Sequence, residues 1–164
     1  MKNKLFETSE SYAPLILRFI LGFVVLMHGM QKLFGLFGGL GFSNTMVFFT
    51  QIIGLPWIMG LLVIILETVG AIALLIGLGT RVISFFYIIL PLGMIFTTHL
   101  KNGFFMNWFG TLKGEGYEYF ILWIGMAVAL FILGGGKYAI DKVFIKREEL
   151  YWNKLEYGFN ENKF

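Results

Sequence analysis

The chain has 164 residues, of which 57% are hydrophobic and 14% are charged, and its formal net charge is only +3. Soluble domains carry about 25% charged residues, so this composition excludes an ordinary soluble protein. The small net charge gives no reason to expect nucleic-acid binding. The chain has no cysteine, which excludes disulfides, thiolate catalysis, iron–sulfur ligation and covalent haem attachment.

Apolar segments predict an all-α membrane protein built as a four-transmembrane-helix bundle. The segments lack the period-2 alternation of strands, and backbone groups in lipid must be satisfied within helices unless a barrel closes. Stretches of about 20 apolar residues are long enough to cross the hydrocarbon core. Pro91 is expected to kink the third span. The predicted spans are residues 12–33, 56–78, 82–99 and 117–133.

Segments outside the spans are predicted to lie at the membrane surface. Residues 44–53 are too few to cross the bilayer, and an interfacial or re-entrant helix is expected there. The third loop, residues 101–116, is rich in aromatic residues and glycine and is expected to form an interfacial lid, with Trp108 at headgroup level. Residues 1–141 are therefore predicted to form the transmembrane domain, and residues 142–164 an amphipathic cytoplasmic tail.

Basic residues near the span ends predict the orientation of the chain. On the side of both termini lie Lys2, Lys4, Arg81, Lys137, Lys142, Lys146 and Arg147. On the opposite side lie Lys32, Lys101 and Lys113. Because loops rich in Lys and Arg stay in the cytoplasm, both termini are expected to be cytoplasmic.

Glu67 is the single charged residue of the apolar segment 55–78 and lies about 17 Å along the second span. A carboxylate at this depth is costly unless it is paired, protonated or facing other helices. Gly70 shares its face, and small residues let helices approach closely in lipid. Two interpretations stay open. Glu67 is a catalytic, proton-handling group, or it forms a structural ion pair with Arg18 that locks two helices.

A polar cluster is predicted in the outer half of the bundle. His28, Lys32, His99 and Glu118 are expected to line a ligand-binding pocket together with Glu67. Such side chains suit the carbonyl groups of a quinone or a similar polar-headed, lipid-soluble molecule. The two histidines also fit axial haem ligation, or simply hydrogen bonds to backbone and water. No metal site is predicted, because zinc sites need three or four protein ligands.

Several motifs resemble the DoxX family of small four-helix membrane proteins in their order and spacing. The similarity extends over about residues 15–141. The motifs are R-x-x-x-G at 18–22, H-G-M-Q-K-L-F-G at 28–35, E-x-x-G-A-x-x-L-L-x-G-L-G-T-R at 67–81, T-H-L-K-N-G-F-F at 98–105, G-Y-E-Y at 116–119 and G-K-Y-A-I-D at 136–141.

The resemblance implies a bacterial cytoplasmic-membrane protein linked to redox chemistry. The family takes its name from a subunit of a thiosulfate:quinone oxidoreductase, and some members are linked to membrane redox or oxidative-stress complexes. We therefore expect no intrinsic cofactor, a quinone as possible ligand, and as partners the lipid bilayer with other membrane or redox subunits or a second copy. The alternative is a non-enzymatic scaffold or assembly subunit. Residues at recurrent family positions are Arg18, His28, Lys32, Glu67, Arg81, His99 and Glu118.

Overall fold

The computed structural model describes residues 6–146, and within this range all regular secondary structure is helical. The predicted all-helical class is therefore confirmed. The helices are α1 (Tyr12–Phe34), α2 (Gly41–Val47, continued by a π turn at Phe48–Ile52), α3 (Trp57–Ile76), α4 (Thr80–Asn102) and α5 (Glu118–Leu133). Helices α1, α3 and α4 are each long and apolar enough to cross a membrane, and α5 is a shorter apolar helix of 16 residues.

Local sequence signals explain where these helices begin and end. The hydroxyl of Ser11 accepts a hydrogen bond from the Ala13 N–H at 3.1 Å and caps the start of α1. Gly35 and Gly77 end α1 and α3 in the left-handed conformation, at φ of 72° and 73°. The second predicted span extended to residue 78, but the helix ends at Ile76 because Gly77 leaves the helical conformation.

The helices bury a common core and expose an apolar outer surface. Inward side chains include Leu21 and Val25 of α1, Tyr87 of α4, and Trp123 and Leu130 of α5. Large apolar residues point outward from the same helices, among them Phe19, Phe23, Leu62, Val69, Phe86 and Ile132. An exposed apolar surface of this extent is expected for a bundle whose solvent is lipid.

Helix α2 packs against the first half of α3. Its residues Met46 and Phe49 form a small core with Ile64, and both lie against Gly60, where a side chain would crowd them. Gly60 lies about 4.5 Å along the axis from the start of α3 at Trp57. Helix α2 therefore lies beside α3, at a level just after the first turn of α3.

The first and last parts of the described chain meet at one end of the bundle. The Ser9 N–H donates to the carbonyl of Leu133 at 3.1 Å, and the Lys137 N–H donates to the carbonyl of Ser11 at 3.1 Å. Residues 141–146 are helical. The rest of the predicted cytoplasmic tail, together with Lys2, Lys4 and Arg147, lies outside the described residues, so the division at residue 141 stays a prediction.

Candidate functional site

An ion pair between α1 and α3 forms the centre of the candidate site. The Lys32 ammonium donates to Oε2 of Glu67 at 2.5 Å. The Glu67 side chain is 1% exposed and that of Lys32 is 23% exposed. The carboxylate is therefore enclosed by protein, as predicted from its position in an apolar segment, while the lysine stem leads toward the bundle surface.

Close packing of two helices places this pair. Gly29 lies one turn before Lys32, and a Cβ built at this position would overlap the backbone carbonyl of Glu67. The glycine thus lets α1 approach α3 at the level of the carboxylate. Glu67 itself lies in a π turn, Leu66–Gly70, and the Leu66 carbonyl accepts a hydrogen bond from the Tyr87 hydroxyl at 3.0 Å. Such wide turns within helices frequently occur at functional sites.

Aromatic residues of α5 lie beside both histidines. The His28 ring is 6.3 Å from the Tyr119 ring, and the His99 ring is 4.6 Å from the Phe120 ring, measured between centroids. Successive helical residues point about 100° apart, so the histidines lie on neighbouring faces of α5.

His99 and Glu118 serve mainly to hold the third loop. Nδ1 of His99 lies 2.9 Å from the Glu115 carbonyl, and His99 ends the π turn Ile95–His99. Oε1 of Glu118 accepts from the Met106 N–H and from the Trp108 indole, both at 3.1 Å. The Glu118 carboxylate is therefore bonded to N–H groups of the loop, and it forms no ion pair with Lys32 or His99 among the described residues.

Arg18 does not reach Glu67 either, and the predicted Arg18–Glu67 ion pair is corrected by the structure. Its guanidinium donates to the carbonyls of Leu75 at 2.8 Å and Lys137 at 3.3 Å, at the opposite end of α1 from Lys32. With its side chain 2% exposed, Arg18 joins α1 to the end of α3 and to the segment after α5.

Asp141 is a buried residue whose role the sequence did not reveal. Its two carboxylate oxygens accept from the N–H groups of Gly79 at 2.7 Å and Thr80 at 2.9 Å. These N–H groups lie at the start of α4 and have no partner within the helix, so the acid caps the helix. Its negative charge also interacts favourably with the positive end of the helix dipole. The available signals were its isolation as an acid after the glycine-rich segment 134–136 and its place at the end of the motif 136–141.

The described residues contain no group of three or more His, Asp or Glu side chains suited to a metal ion. A surface groove on α1 is lined by Leu15, Ile16, Phe19 and Ile20, all apolar. It lies about 20 Å along the helix from Lys32 and is suited to acyl chains rather than to polar chemistry. The polar chemistry of the described chain is therefore concentrated around Glu67 and Asp141.

Fold and site together define a multi-pass, all-helical membrane protein with an ion pair buried between its helices. The chain belongs to the DoxX family, whose family model matches residues 13–100. It is similar to a protein of Bacillus subtilis (strain 168) named "Putative oxidoreductase CatD", with 30% identity over 128 residues, 78% of this chain and 82% of that protein. No solved structure matches the chain significantly. The predicted family is confirmed, and the matched segment includes Lys32 and Glu67 but not Glu118.

Proposed function

We propose that this chain is a redox-linked membrane subunit that binds the polar head of a quinone, or of a similar lipid-soluble molecule, beside Lys32 and Glu67. Membership of the DoxX family supports the membrane setting. The name of the Bacillus subtilis relative supports a connection with oxidation and reduction. Electrons come from a partner protein in this proposal, since the chain has no cysteine to relay them.

The buried ion pair is the observation that supports the proposal most strongly. Lys32 is partly exposed and can donate a hydrogen bond to a carbonyl oxygen of the ligand while it remains next to Glu67. Glu67 can exchange a proton with the ligand, because quinone reduction consumes protons as well as electrons. His28 lies one turn before Lys32 on α1, its ring is 6.3 Å from that of Tyr119, and in the proposal both residues supply further polar contacts to the ligand. His99 lies at the edge of this site in the proposal, and Glu118 has no part in ligand binding.

We propose further that α1, α3, α4 and α5 each cross the bacterial cytoplasmic membrane, with both termini inside. The hydrogen bond between Ser9 and Leu133 joins the start of α1 to the end of α5 at one end of the bundle, which supports an even number of crossings. Helix α5 extends about 24 Å, slightly short of the hydrocarbon core, and loop aromatics continue its apolar surface. The packing of α2 beside Gly60 favours a re-entrant helix over one lying on the surface.

Thiol labelling tests this topology, because the chain contains no cysteine and any introduced cysteine is unique. Lys113→Cys and Lys146→Cys place a thiol at exposed positions of opposite ends. A membrane-impermeant maleimide added to intact cells is expected to label the first variant only, and the second after permeabilisation. Equal labelling of both variants in intact cells contradicts the proposed orientation.

Quinone content tests the proposed ligand. The protein is purified in mild detergent, and extracted quinone is quantified against protein for the wild type, Glu67→Gln and Lys32→Met. Glu10→Gln is the matched control, because Glu10 also pairs with a lysine, Lys142, but is 81% exposed. We expect stoichiometric quinone in the wild type and the control, and its loss in both site variants. Absence of quinone from the wild type, or full retention by Glu67→Gln, overturns the proposal.

A scaffold or assembly subunit is the second candidate. The same ion pair joins α1 to α3, so it also suits a role in which Glu67 only fixes helix packing and the subunit recruits other membrane proteins. Purification of the complex separates the two candidates. Loss of co-purified partners from Glu67→Gln, with unchanged quinone content and redox turnover, favours the scaffold.

A further inference from the structure

A line of buried polar side chains runs along one face of α4. Thr80, Ser84 and Tyr87 follow one another at intervals of about one turn, and each is fully buried. The axial distance from Thr80 to Tyr87 is about 10 Å. The face of α4 that is turned to the protein is therefore polar from its start to the level of the ion pair.

One end of this polar column bonds to a buried acid, and the other bonds to the residue beside one. At one end the Tyr87 hydroxyl donates to the carbonyl of Leu66, the residue before Glu67. At the other end the Thr80 N–H donates to Oδ2 of Asp141 at 2.9 Å. Glu67 and Asp141, each 1% exposed, thus lie next to opposite ends of one helix face.

Two polar atoms of the column, and one of Trp123 on α5, have no hydrogen-bond partner among residues 6–146. They are the hydroxyl oxygens of Thr80 and Ser84 and the indole nitrogen of Trp123. The Trp123 side chain is 2% exposed, and its ring centroid is 5.6 Å from that of Tyr87. Buried groups of this kind are normally satisfied, and ordered water is the usual partner when protein supplies none.

Spacing along the helix suits water as the missing partner. The backbone rise from Thr80 to Ser84 is about 6 Å, so their short side chains carry hydroxyl groups one turn apart on the same face. One water molecule bridges two oxygen atoms that are about 5.5 Å apart, since each O–H···O bond is about 2.8 Å long. The same core contains the small residues Ala71 and Ala127, both fully buried. One or two water molecules are therefore enough to connect the hydroxyl groups of Thr80 and Ser84.

We propose that this column binds a file of ordered water molecules that carries protons between Asp141 and Glu67. Every proton handed to Glu67 is replaced by one that enters at the Asp141 end, and the water molecules and hydroxyl groups then reorient before the next transfer. Use of the file for proton supply rests on the proposed function of Glu67. Its hydration does not, because it depends only on the three unpartnered groups.

Water contacts of the Trp123 indole test the file directly. The full-length protein is labelled with ¹⁵N and studied in detergent micelles, and cross-relaxation between water and the indole N–H groups is recorded by NMR. The chain has four tryptophans, and Trp123→Phe assigns the relevant signal by its disappearance. We expect a water cross-peak and exchange with D₂O at Trp123 despite its burial. An indole that shows neither is in a dry core, and this result overturns the proposal.

Variants of the two hydroxyl residues provide the matched comparison. Thr80→Val and Ser84→Ala each remove a hydroxyl group with little change in shape, and together they are expected to abolish the cross-peak. Thr97→Val is the control, because this exposed threonine of the same helix bonds only to backbone carbonyls one turn before it. A cross-peak that survives the double variant assigns the water to another site and contradicts the file. Quinone content is measured separately. A dry column therefore leaves the ligand proposal standing, and absence of quinone leaves the hydration of the column standing.

Discussion

Removal of Lys32 is expected to be among the most destabilising single changes in this protein. Lys32→Met preserves most of the side-chain volume but leaves the Glu67 carboxylate, 1% exposed, without its partner. Breaking a buried ion pair in this way costs about 3–5 kcal/mol, because a desolvated charge remains uncompensated. Glu67→Gln is expected to cost less, since Lys32 is 23% exposed and can extend its ammonium toward solvent.

A double-mutant cycle separates the pairing of the charges from the packing of the side chains. Lys32→Met combined with Glu67→Gln removes both charges, and replacing a buried pair by uncharged groups is often close to neutral. The double variant is therefore expected to recover most of the stability that Lys32→Met loses. The exposed pair of Lys142 and Glu10 is the reference, for which Lys142→Met should cost below about 1 kcal/mol.

Unfolding in mixed micelles provides the assay. Each variant is titrated with a denaturing detergent, helical content is followed by circular dichroism, and unfolding free energies are compared at one detergent composition. If Lys32→Met is as stable as Lys142→Met, Lys32 does not compensate a buried charge on Glu67. If the loss of unfolding free energy in the double variant equals the sum of the losses in the two single variants, the two side chains do not interact, and this also contradicts the pair.

Three further changes test separate parts of the structure. Gly29→Ala should lower the unfolding free energy by about 1–3 kcal/mol, because its new Cβ would overlap α3. Gly125→Ala is the control, because a Cβ at Gly125 meets open space and should not destabilise the protein. Equal losses of stability in the two variants would contradict the close approach of α1 to α3 at Gly29. Asp141→Ala removes the acceptor of two N–H groups at the start of α4 and should cost about 1–3 kcal/mol, whereas an unchanged unfolding curve contradicts capping. Glu118→Ala should lower the fluorescence anisotropy of Trp108 with unchanged quinone content, and lost quinone would return Glu118 to the ligand site.

The helical class could be predicted because long apolar segments leave few alternatives in lipid. The partner of Glu67 could not, because a helical wheel gives the face of a residue and not its depth relative to another helix. Arg18 and Lys32 share a face of α1, yet they are about 21 Å apart along its axis. Only the approach of Gly29 to the Glu67 carbonyl fixes which of the two reaches the acid.

Contacts between distant segments explain why the partners of Glu118 and Asp141 could not be predicted from the sequence. The sequence places Glu118 at a helix start near the outer boundary, but it does not show that loop N–H groups at Met106 and Trp108 will take its carboxylate. Similarly, Asp141 lies 61 residues from the Thr80 N–H that it caps. Long-range partners of this kind depend on the packing of complete helices, which no local pattern records.

The distance between Lys32 and Glu67 in a membrane tests the central claim most directly. Protein with ¹⁵N at the lysine side-chain nitrogen and ¹³C at the glutamate carboxyl carbon is reconstituted in lipid bilayers, and dipolar dephasing is measured by solid-state NMR. Glu10→Gln serves as background, since it removes the other ion pair of the described residues. An N···O separation of 2.5 Å predicts strong dephasing that disappears in Lys32→Met. Dephasing that is absent, or that persists without Lys32, contradicts the buried pair on which the site is built.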